Sequence, residues 1–280
     1  ESTTTSKNTY KVDISYEYAD HQHVYALWSQ GFRRGGANAL PTSGLFAENP
    51  ILLTYKPDTA NNYEVGIKGR FANDATYAFD VFDIEWNNPQ VAGTLPTGNL
   101  AVWNATKARS NGFEFDVTSP LFVPGLNIVA GGSYADARFT QNYSYAADAF
   151  GNVTGSAGQQ LPGSPKVSAA ATLNYLRAVA PGYDLRLSLN DTYRSGMYLG
   201  TFPLAVLGQT APQQAPSMSI ANFSAAVTHA DWRLGVYVTN LTDKRVIQAP
   251  PYEPNRVGHL TDDAIINEPR RIDLRLGYSF

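Results

Sequence analysis

The sequence contains no cysteine and little charge, and these two deficits narrow the class of protein. Without cysteine no disulfide framework can form. Charged residues make up 16% of the 280 residues, whereas soluble domains average roughly 25%. The net charge of −3 provides no basic surface of the kind that binds nucleic acid, so no nucleic-acid partner is expected.

Long apolar runs and helical periodicity are also missing from the sequence. No segment approaches the roughly 18 consecutive apolar residues of a transmembrane helix. No basic segment followed by an apolar one marks a secretory signal peptide, so we expect the signal peptide to be absent from this sequence.

Alternation with a period of two residues is the dominant pattern. In TYKVDISYEYA the residues at 10, 12, 14, 16 and 18 are aromatic or aliphatic, and most residues between them are polar. The same alternation appears in GFEFDV and in the terminal RIDLRLGYSF, and it predicts β-strands. Eleven strands are predicted, near 8–18, 22–33, 61–71, 76–87, 98–119, 125–138, 166–177, 182–195, 217–228, 231–241 and 270–280.

The lengths of the strands and of their connections indicate a membrane protein. Many predicted strands have ten or more residues, whereas soluble strands have about five or six and membrane-barrel strands about 9–11. Short connections alternate with long polar ones, which is typical of an outer-membrane β-barrel. The short connections lie near 19–21, 72–75, 120–124, 178–182 and 229–230, and the long ones at 34–60, 88–97, 139–165, 196–216 and 242–269.

Aromatic residues near the strand ends agree with this interpretation. Barrels in membranes carry aromatic girdles at both interfaces. We predict that the girdles include Tyr10, Tyr18, Trp28, Trp86, Trp103 and Trp232. The alternative is a soluble β-sandwich, whose strands also alternate; the long strands and the nearly pure apolar face favour the barrel.

An odd strand number raises a question, because bacterial single-chain barrels have an even number. If the count is eleven, the sequence begins inside an extracellular loop. If 98–119 is two strands broken at KARSNG, the count is about twelve and a complete small barrel, acting as a passive pore, is possible. We favour one long strand over 98–119, because ARSN is a weak turn signal.

Six segments of the sequence resemble TonB-dependent receptors of the bacterial outer membrane. They are HVYALWSQGFRRGGAN (23–38), NNYEVGIKGRF (61–71), AVWNATKARSNGFEFDVTSPL (101–121), LPGSPKVSAAATLNY (161–175), VYVTNLTDKRV (236–246) and the terminal LRLGYSF. The resemblance implies an all-β fold, an antiparallel transmembrane barrel of which about 11 strands are here, as the C-terminal half of a barrel of about 22. Residues 1–280 then form barrel region, and the family's N-terminal plug domain is absent from them.

The resemblance also implies a function. It implies energised transport of a bulky nutrient across the outer membrane, with this chain supplying barrel wall and extracellular loops. The implied partners are outer-membrane lipid, the TonB energy-transducing complex through N-terminal parts that are missing here, and the barrel-assembly machinery through the strand that ends at Phe280. The family favours a ferric siderophore as the nutrient, whereas the uncharged loops favour a glycan or an aryl compound.

Candidate ligand-binding residues lie in the long loops. Arg33 and Arg34 in GFRRGG stand at the outer mouth, where arginine can pair with carboxylate, phosphate or chelate oxygens of a ligand. The alternative is that they bind anionic lipid of the outer leaflet or a neighbouring carboxylate of the barrel. Aromatic residues beside amides suit neutral, ring-bearing ligands. The predicted ligand contacts are Arg33, Arg34, Tyr143, Tyr145, Tyr198, Phe202, Tyr252 and Arg256.

No catalytic, metal or cofactor motif appears in the sequence. We expect His21, His23 and His229 to be solvated turn residues, and His259 near Asp262 and Asp263 is at most a weak metal or acid–base site. No enzymatic activity, metal or cofactor is therefore predicted. An esterase-like or lipase-like barrel hydrolase stays open as an alternative, but no spacing selects a catalytic set.

Overall fold

The computed structural model describes residues 7–148, 151–201, 212–249 and 265–279. Across these ranges helix is confined to one 3-10 turn, Pro50–Leu52. None of the described segments forms a helix long and apolar enough to cross a bilayer. The regular structure is otherwise β-strand, as the alternation of the sequence predicted.

Twenty-one strands follow one another along the described chain. They are β1 (Lys11–Ala19), β2 (Gln22–Arg33), β3 (Gly36–Ala37), β4 (Thr54–Tyr55), β5 (Asp58–Arg70), β6 (Thr76–Asn87), β7 (Gln90–Thr94), β8 (Leu100–Asn104), β9 (Lys107–Pro120), β10 (Leu126–Phe139), β11 (Tyr143–Asp148), β12 (Gly151–Gly155), β13 (Val167–Ala180), β14 (Tyr183–Arg194), β15 (Met197–Tyr198), β16 (Gln214–Ala215), β17 (Met218–His229), β18 (Trp232–Thr239), β19 (Ile247–Ala249), β20 (Ile265–Ile266) and β21 (Arg271–Tyr278).

Eleven of these strands form one antiparallel sheet, and their number matches the prediction. The order is β1-β2-β5-β6-β9-β10-β13-β14-β17-β18-β21, so each strand pairs with the next long strand of the chain. The remaining strands form five two-stranded ribbons in the long connections. The single strand predicted over 98–119 is wrong: β8 ends at Asn104 and pairs with β7 in a loop ribbon, and the sheet strand β9 begins at Lys107.

Short turns join the strands at one end of the sheet, at the five places that the sequence predicted. The turn before β10 contains Gly125, whose φ is +85°. A Cβ at this position would strike the backbone carbonyl of Leu176, so glycine is required there both for its conformation and for its size.

The two faces of the sheet have opposite chemistry. The register places Val24, Ile67, Phe79 and Phe115 in one cross-strand row. These side chains are 36 to 42% exposed although they are large and apolar, as expected for a face that contacts lipid. The neighbouring row on the other face contains His23, Lys68, Ala78 and Asp116, and this polar face forms the lumen side.

The apolar residues of β6 change sides along the strand. Near the short turns Phe79 and Val81 lie on the lipid face, but farther along that face carries Asp83 and Glu85. There the lumen face becomes apolar, with Phe82, Ile84 and Trp86. The girdle position predicted for Trp86 is therefore wrong, because beyond the membrane the lumen face packs under the loops. Trp103 is also wrongly predicted: it is buried in the loop strand β8.

The hydrophobic core of the described chain lies in the long loops and the adjoining strand ends. Because the membrane-facing side chains contact lipid and the lumen face is polar, only the loop end of the sheet has apolar surface to bury against protein. We call the following set the loop core: Leu52, Val91, Leu95, Ala101, Trp103, Ala105, Ala108, Ala137, Phe139, Tyr143, Val153 and Leu161.

The sheet is open within the described residues. There β1 pairs with β2 alone, and β21 pairs with β18 alone. Every residue of β1 is exposed, and one edge of this strand has no partner strand within the described chain. Such an edge presents unpaired backbone groups, which lipid cannot satisfy.

Candidate functional site

A buried carboxylate, Asp58, connects the mouth of the sheet to two loops. Asp58 is 2% exposed. It accepts hydrogen bonds from Nε of Arg33 at 3.0 and 3.2 Å, from Nε1 of Trp86 at 3.0 Å and from the backbone N–H of Gln90 at 3.0 Å. A buried carboxylate is tolerated when it is paired and its oxygens are hydrogen-bonded. The guanidinium of Arg33 supplies the positive charge that pairs with this carboxylate.

The side chain of Gln90 adds a second connection between the same loops. Its Nε2 donates to the backbone oxygen of Arg34 at 2.8 Å and to that of Lys56 at 3.1 Å. These two residues lie near the beginning and the end of the loop 34–57, so β7 is held against both arms of that loop.

A cavity of about 650 Å³ opens beside this network, between the lumen face and the loops. On the sheet side it is lined by Ala60, Ile84, Trp86 and Ala137, and on the loop side by Val91, Leu161 and Leu199 among others. Its size is that of a cavity for a small-molecule ligand, and its lining is mostly apolar with a few polar groups, as such sites usually are.

The charge at this cavity is low. Its described lining includes no acidic residue, and Arg109 is the one basic residue in it. The guanidinium of Arg109 is bound to Asp83, with Nε–Oδ1 and Nη2–Oδ2 distances of 2.6 and 2.7 Å. Arg109 pairs in register with Glu85, on the face of the sheet opposite Trp86, so its guanidinium is directed away from the cavity. The described lining therefore suits an uncharged, ring-bearing group better than a free carboxylate or phosphate.

The two predicted arginines have different surroundings. Arg33 is bound to Asp58, and its guanidinium carbon stands 4.9 Å from the ring centroid of Trp86. Arg34 is exposed, and only its backbone oxygen takes part in the contacts described above. Arg34 is therefore the more accessible of the two cations at the mouth. A direct ligand contact stays a prediction for both.

Three predicted tyrosines can be placed. Tyr143 is buried, its ring centroid lies 5.2 Å from that of Phe139, and its hydroxyl lies 3.4 Å from Oγ1 of Thr201. Burial raises the pKa of Tyr143. Its contacts are those of a packing residue in the loop core, so the structure provides no exposed ring here for the ligand contact that we predicted.

Tyr145 and Tyr198 are both partly exposed. Tyr145 lines a separate cavity of about 310 Å³, together with Lys56, Asn88 and Asn104 among others. Tyr198 lies in the ribbon strand β15, and its backbone oxygen accepts a hydrogen bond from Gly163 at 2.7 Å. Gly163 and Leu199, the neighbour of Tyr198, both line the 650 Å³ cavity, so Tyr198 stands beside the candidate site.

The other predicted contacts, Phe202, Tyr252 and Arg256, lie outside the described residues, as do His259, Asp262, Asp263 and Phe280. Among the described residues one group, Glu17, Asp20 and His21, brings possible metal-ligand atoms within 4.8 Å of one another. All three residues are exposed at a short turn. Exposed acidic groups are common without a metal ion, and we infer no metal site from them.

The last long loop is anchored by two buried asparagines. Nδ2 of Asn240 donates to the backbone oxygens of Lys244 and Glu268, both at 2.9 Å. Asn267 donates from Nδ2 to the same oxygen of Lys244 at 2.7 Å. Nearby, the backbone N–H of Arg270 and the side chain of Arg245 lower the pKa of Asp243. These contacts fix both ends of this loop.

Sequence reasoning missed the residues that build the cavity. Asp58 looked like an ordinary loop residue, and Trp86 looked like a girdle residue. A signal was present in FDVFDIEWN, where acids occupy the former lipid face while Phe82, Ile84 and Trp86 alternate on the other. This exchange of polarity marks the height at which the strand leaves the membrane and its lumen face begins to pack against loops.

Comparisons with known proteins agree with this architecture. A family model described as TonB dependent receptor-like, beta-barrel matches residues 1–241. The pesticin receptor of Yersinia enterocolitica is 25% identical over 164 residues, which are 59% of this chain and 22% of that protein.

Solved structures show the same fold. The ferric yersiniabactin uptake receptor FyuA from Yersinia pestis has a TM-score of 0.70 and 21% identity, over 96% of this chain and 37% of that one. The siderophore receptor PiuA from Acinetobacter baumannii has a TM-score of 0.69 and 20% identity, over 96% of this chain and 35% of that one. The chain therefore spans little more than a third of these receptors.

The open sheet is part of a larger antiparallel transmembrane β-barrel, as the sequence predicted, because nearly the whole chain superposes on about a third of such receptors. The family consists of receptors and transporters of the outer membrane, and that membrane is where this chain is located. With 241 of its 280 residues covered by the family model, the chain belongs to the TonB-dependent receptor family.

Proposed function

We propose that this chain is the barrel wall and the ligand-binding loops of a longer receptor that takes up a bulky nutrient through the outer membrane. The observation that carries the proposal is the 650 Å³ cavity between the lumen face and the packed loops. A ligand held there stands at the outer mouth of the barrel, where a transporter must capture it before release into the lumen.

The proposed nutrient is a ferric siderophore that bears aryl groups. One structure named above is of a ferric yersiniabactin uptake receptor, and another is of a siderophore receptor. The mostly apolar lining and the indole of Trp86 favour a flat, uncharged ring. The metal-chelate part of such a ligand would lie nearer Arg34, which is exposed at the mouth. A glycan and an iron-free aryl compound are the competing ligands.

The proposed partners follow from the membrane location and from the family. Outer-membrane lipid covers the apolar face, and the TonB complex supplies energy through parts of the receptor outside this sequence. The strand that ends at Phe280 is proposed as the element read by the barrel-assembly machinery. A catalytic role is not proposed, because no set of described residues combines a nucleophile with a base in the cavity.

Radioactive-iron uptake tests the proposal. The complete receptor is expressed in a Gram-negative host that lacks its own siderophores and siderophore receptors. The cells are offered iron as a tris(catecholate), a phenolate chelate and a tris(hydroxamate). We expect energy-dependent uptake of an aryl-bearing chelate. Trp86→Ala should weaken binding by about 2 kcal/mol, or roughly thirtyfold, because it removes the largest apolar surface of the cavity wall.

Trp28→Ala is the matched control, because Trp28 lies on the lipid face, opposite Val12 and Tyr63. Its removal should leave the half-saturation concentration for uptake unchanged. Uptake of the hydroxamate alone would contradict the aryl assignment. Failure of every iron chelate, with growth on a glycan instead, would overturn the siderophore assignment.

A further inference from the structure

We propose that Asp58 is a positioning residue, which fixes the Trp86 indole in the cavity wall and makes the two flanking loops move as one unit. The first loop is 34–57 and the second is 88–106. Asp58 follows the first loop directly, as the first residue of β5. The part of this inference that concerns ligand affinity rests on the proposed function, whereas the part that concerns the loops does not.

The contacts of Asp58 join three places in the chain that are distant in sequence. Arg33 is the last residue of β2 and precedes the first loop, and Trp86 and Gln90 stand on either side of the start of the second loop. All three donate to the one carboxylate. The carboxylate therefore closes the first loop at its base and attaches the second loop to that base.

The carboxylate of Asp58 contacts the Trp86 indole from outside the cavity. Trp86 lines the cavity, but Arg33 and Asp58 do not. The Nε1–Oδ2 hydrogen bond of 3.0 Å fixes the edge of the indole, and the guanidinium of Arg33 stands 4.9 Å from the ring centroid. A cation at this distance attracts the ring electrostatically. The hydrogen bond from Trp86 to Asp58 and the guanidinium of Arg33, which is itself bound to Asp58, thus set the orientation of a ring that lines the cavity.

Asparagine at position 58 would keep the shape but not the charge. Its carbonyl oxygen has two lone pairs and could still accept from Trp86 and Gln90, which share one oxygen of Asp58, but both hydrogen bonds would lose their charged acceptor and Arg33 would lose its ion pair. A hydrogen bond to a charged group stabilises more than one to a neutral group. The free-energy difference between the two changes a loop-opening equilibrium by about tenfold. We expect the opening equilibria of both loops to rise together by about tenfold.

Hydrogen–deuterium exchange on the complete receptor in lipid nanodiscs tests this directly, without a ligand. In Asp58→Asn, exchange in 34–57 and in 88–106 should rise by about tenfold, while exchange in β13 and β14 should stay unchanged. The same variant should make Trp86 more accessible to acrylamide. The contribution of Trp86 to fluorescence quenching is measured as the difference between each receptor and its Trp86→Phe derivative. Faster exchange in only one loop would overturn the coupling.

Asp136→Asn is the matched control. Asp136 is also bound by an arginine, with Nε of Arg138 at 2.7 and 2.8 Å from its oxygens, and it also stands near the loop end of its strand. It does not line the cavity and does not contact either loop end described above. This variant should leave exchange in 34–57 and the quenching of Trp86 unchanged. Equal effects of the two variants would show general loosening of the mouth and refute the assignment.

A transport measurement separates positioning from a merely structural role. With the iron chelate that the wild-type receptor takes up, Asp58→Asn should raise the half-saturation concentration by about tenfold and leave the maximal rate per receptor unchanged. A lower maximal rate with unchanged half-saturation would mean that the residue serves assembly instead. If the wild-type receptor takes up none of the chelates, the proposed function fails, and exchange and quenching still decide this inference.

Discussion

Removal of the Phe139 ring is expected to unfold the loop core while the barrel sheet remains intact. Phe139 ends β10 and is 1% exposed, with its ring centroid 5.2 Å from that of Tyr143. A buried phenylalanine that is replaced by alanine typically costs about 3–5 kcal/mol, from lost burial and from the cavity that remains. Loops whose local free energy of unfolding is of that size would lose most of their protection against backbone hydrogen exchange.

The structure predicts where the loss appears. Phe139 contacts the loop strand β11 through Tyr143, and its backbone bonds to Gln159 and Gly158 at 2.9 and 2.8 Å. Exchange of backbone hydrogens in Phe139→Ala should therefore rise in 143–148 and 151–161, and also in 90–104 through Trp103. The strands β13 and β14 should exchange as in the wild type, because their stability comes from hydrogen bonds across the sheet in lipid.

Phe122→Ala is the control for this substitution. Phe122 is 95% exposed in the short turn before β10, so the same change of side chain removes almost no buried surface. Uniform loss of protection across the sheet in Phe139→Ala would refute the separation of loop core from barrel. No change in any loop would refute the claim that the core stabilises them.

Three further predictions concern the sheet and the last loop. Gly112→Val should prevent assembly of folded barrel, seen as loss of heat-modifiable migration on gels, because a Cβ at 112 would strike the backbone carbonyl of Tyr134. Gly31→Val is the control, because Gly31 also lies in a sheet strand but a Cβ there would have its nearest neighbour, Cβ of Ala60, at an ordinary contact distance of 3.8 Å. Leu187→Lys should destabilise the barrel by about 2–4 kcal/mol in denaturant titration, because it places a charge in lipid, whereas Ser188→Lys on the lumen face should be tolerated; equal effects would contradict the assignment of the faces. The pKa of Asp243 is lowered in the fold, so its charged form stabilises the last loop. This stabilisation is present above the usual carboxyl pKa of about 3.9 and is lost as the pH falls below it. Proteolysis of 240–249 by an acid protease should show this loss, and Asp243→Asn should remove the pH dependence.

The sheet could be predicted from the sequence because its strands alternate with a period of two residues and their lipid face must be apolar. Eleven strands and five short turns were correct, since every membrane strand must be apolar on one face and hydrogen-bonded on both sides. The error at 98–119 has the same origin. AVWN and KARSNGFEFDV are both alternating segments, and alternation does not report whether a strand pairs in the sheet or in a loop ribbon.

The candidate site was predicted much less well. Arg33 was predicted as a ligand contact from its residue type, and that contact stays a prediction. Its bond to Asp58 joins residues 25 positions apart, and no local pattern identifies Asp58 as the partner. Tyr143 was predicted as a ligand contact in a long loop. It is buried, because the long loops bring enough apolar surface together to form a core. Packing between loops depends on contacts far apart in sequence, which periodicity cannot show.

The position of the loop core implies that the molecule contains two parts with different temperature behaviour. The loop core is packed in water, so its unfolding exposes apolar surface to water and carries a large positive heat-capacity change. The apolar face of the sheet contacts hydrocarbon in the folded state, so it does not contribute the same transfer of apolar surface from protein to water. The stability of the loop core should therefore pass through a maximum and weaken on cooling as well as on heating, while the barrel sheet stays folded.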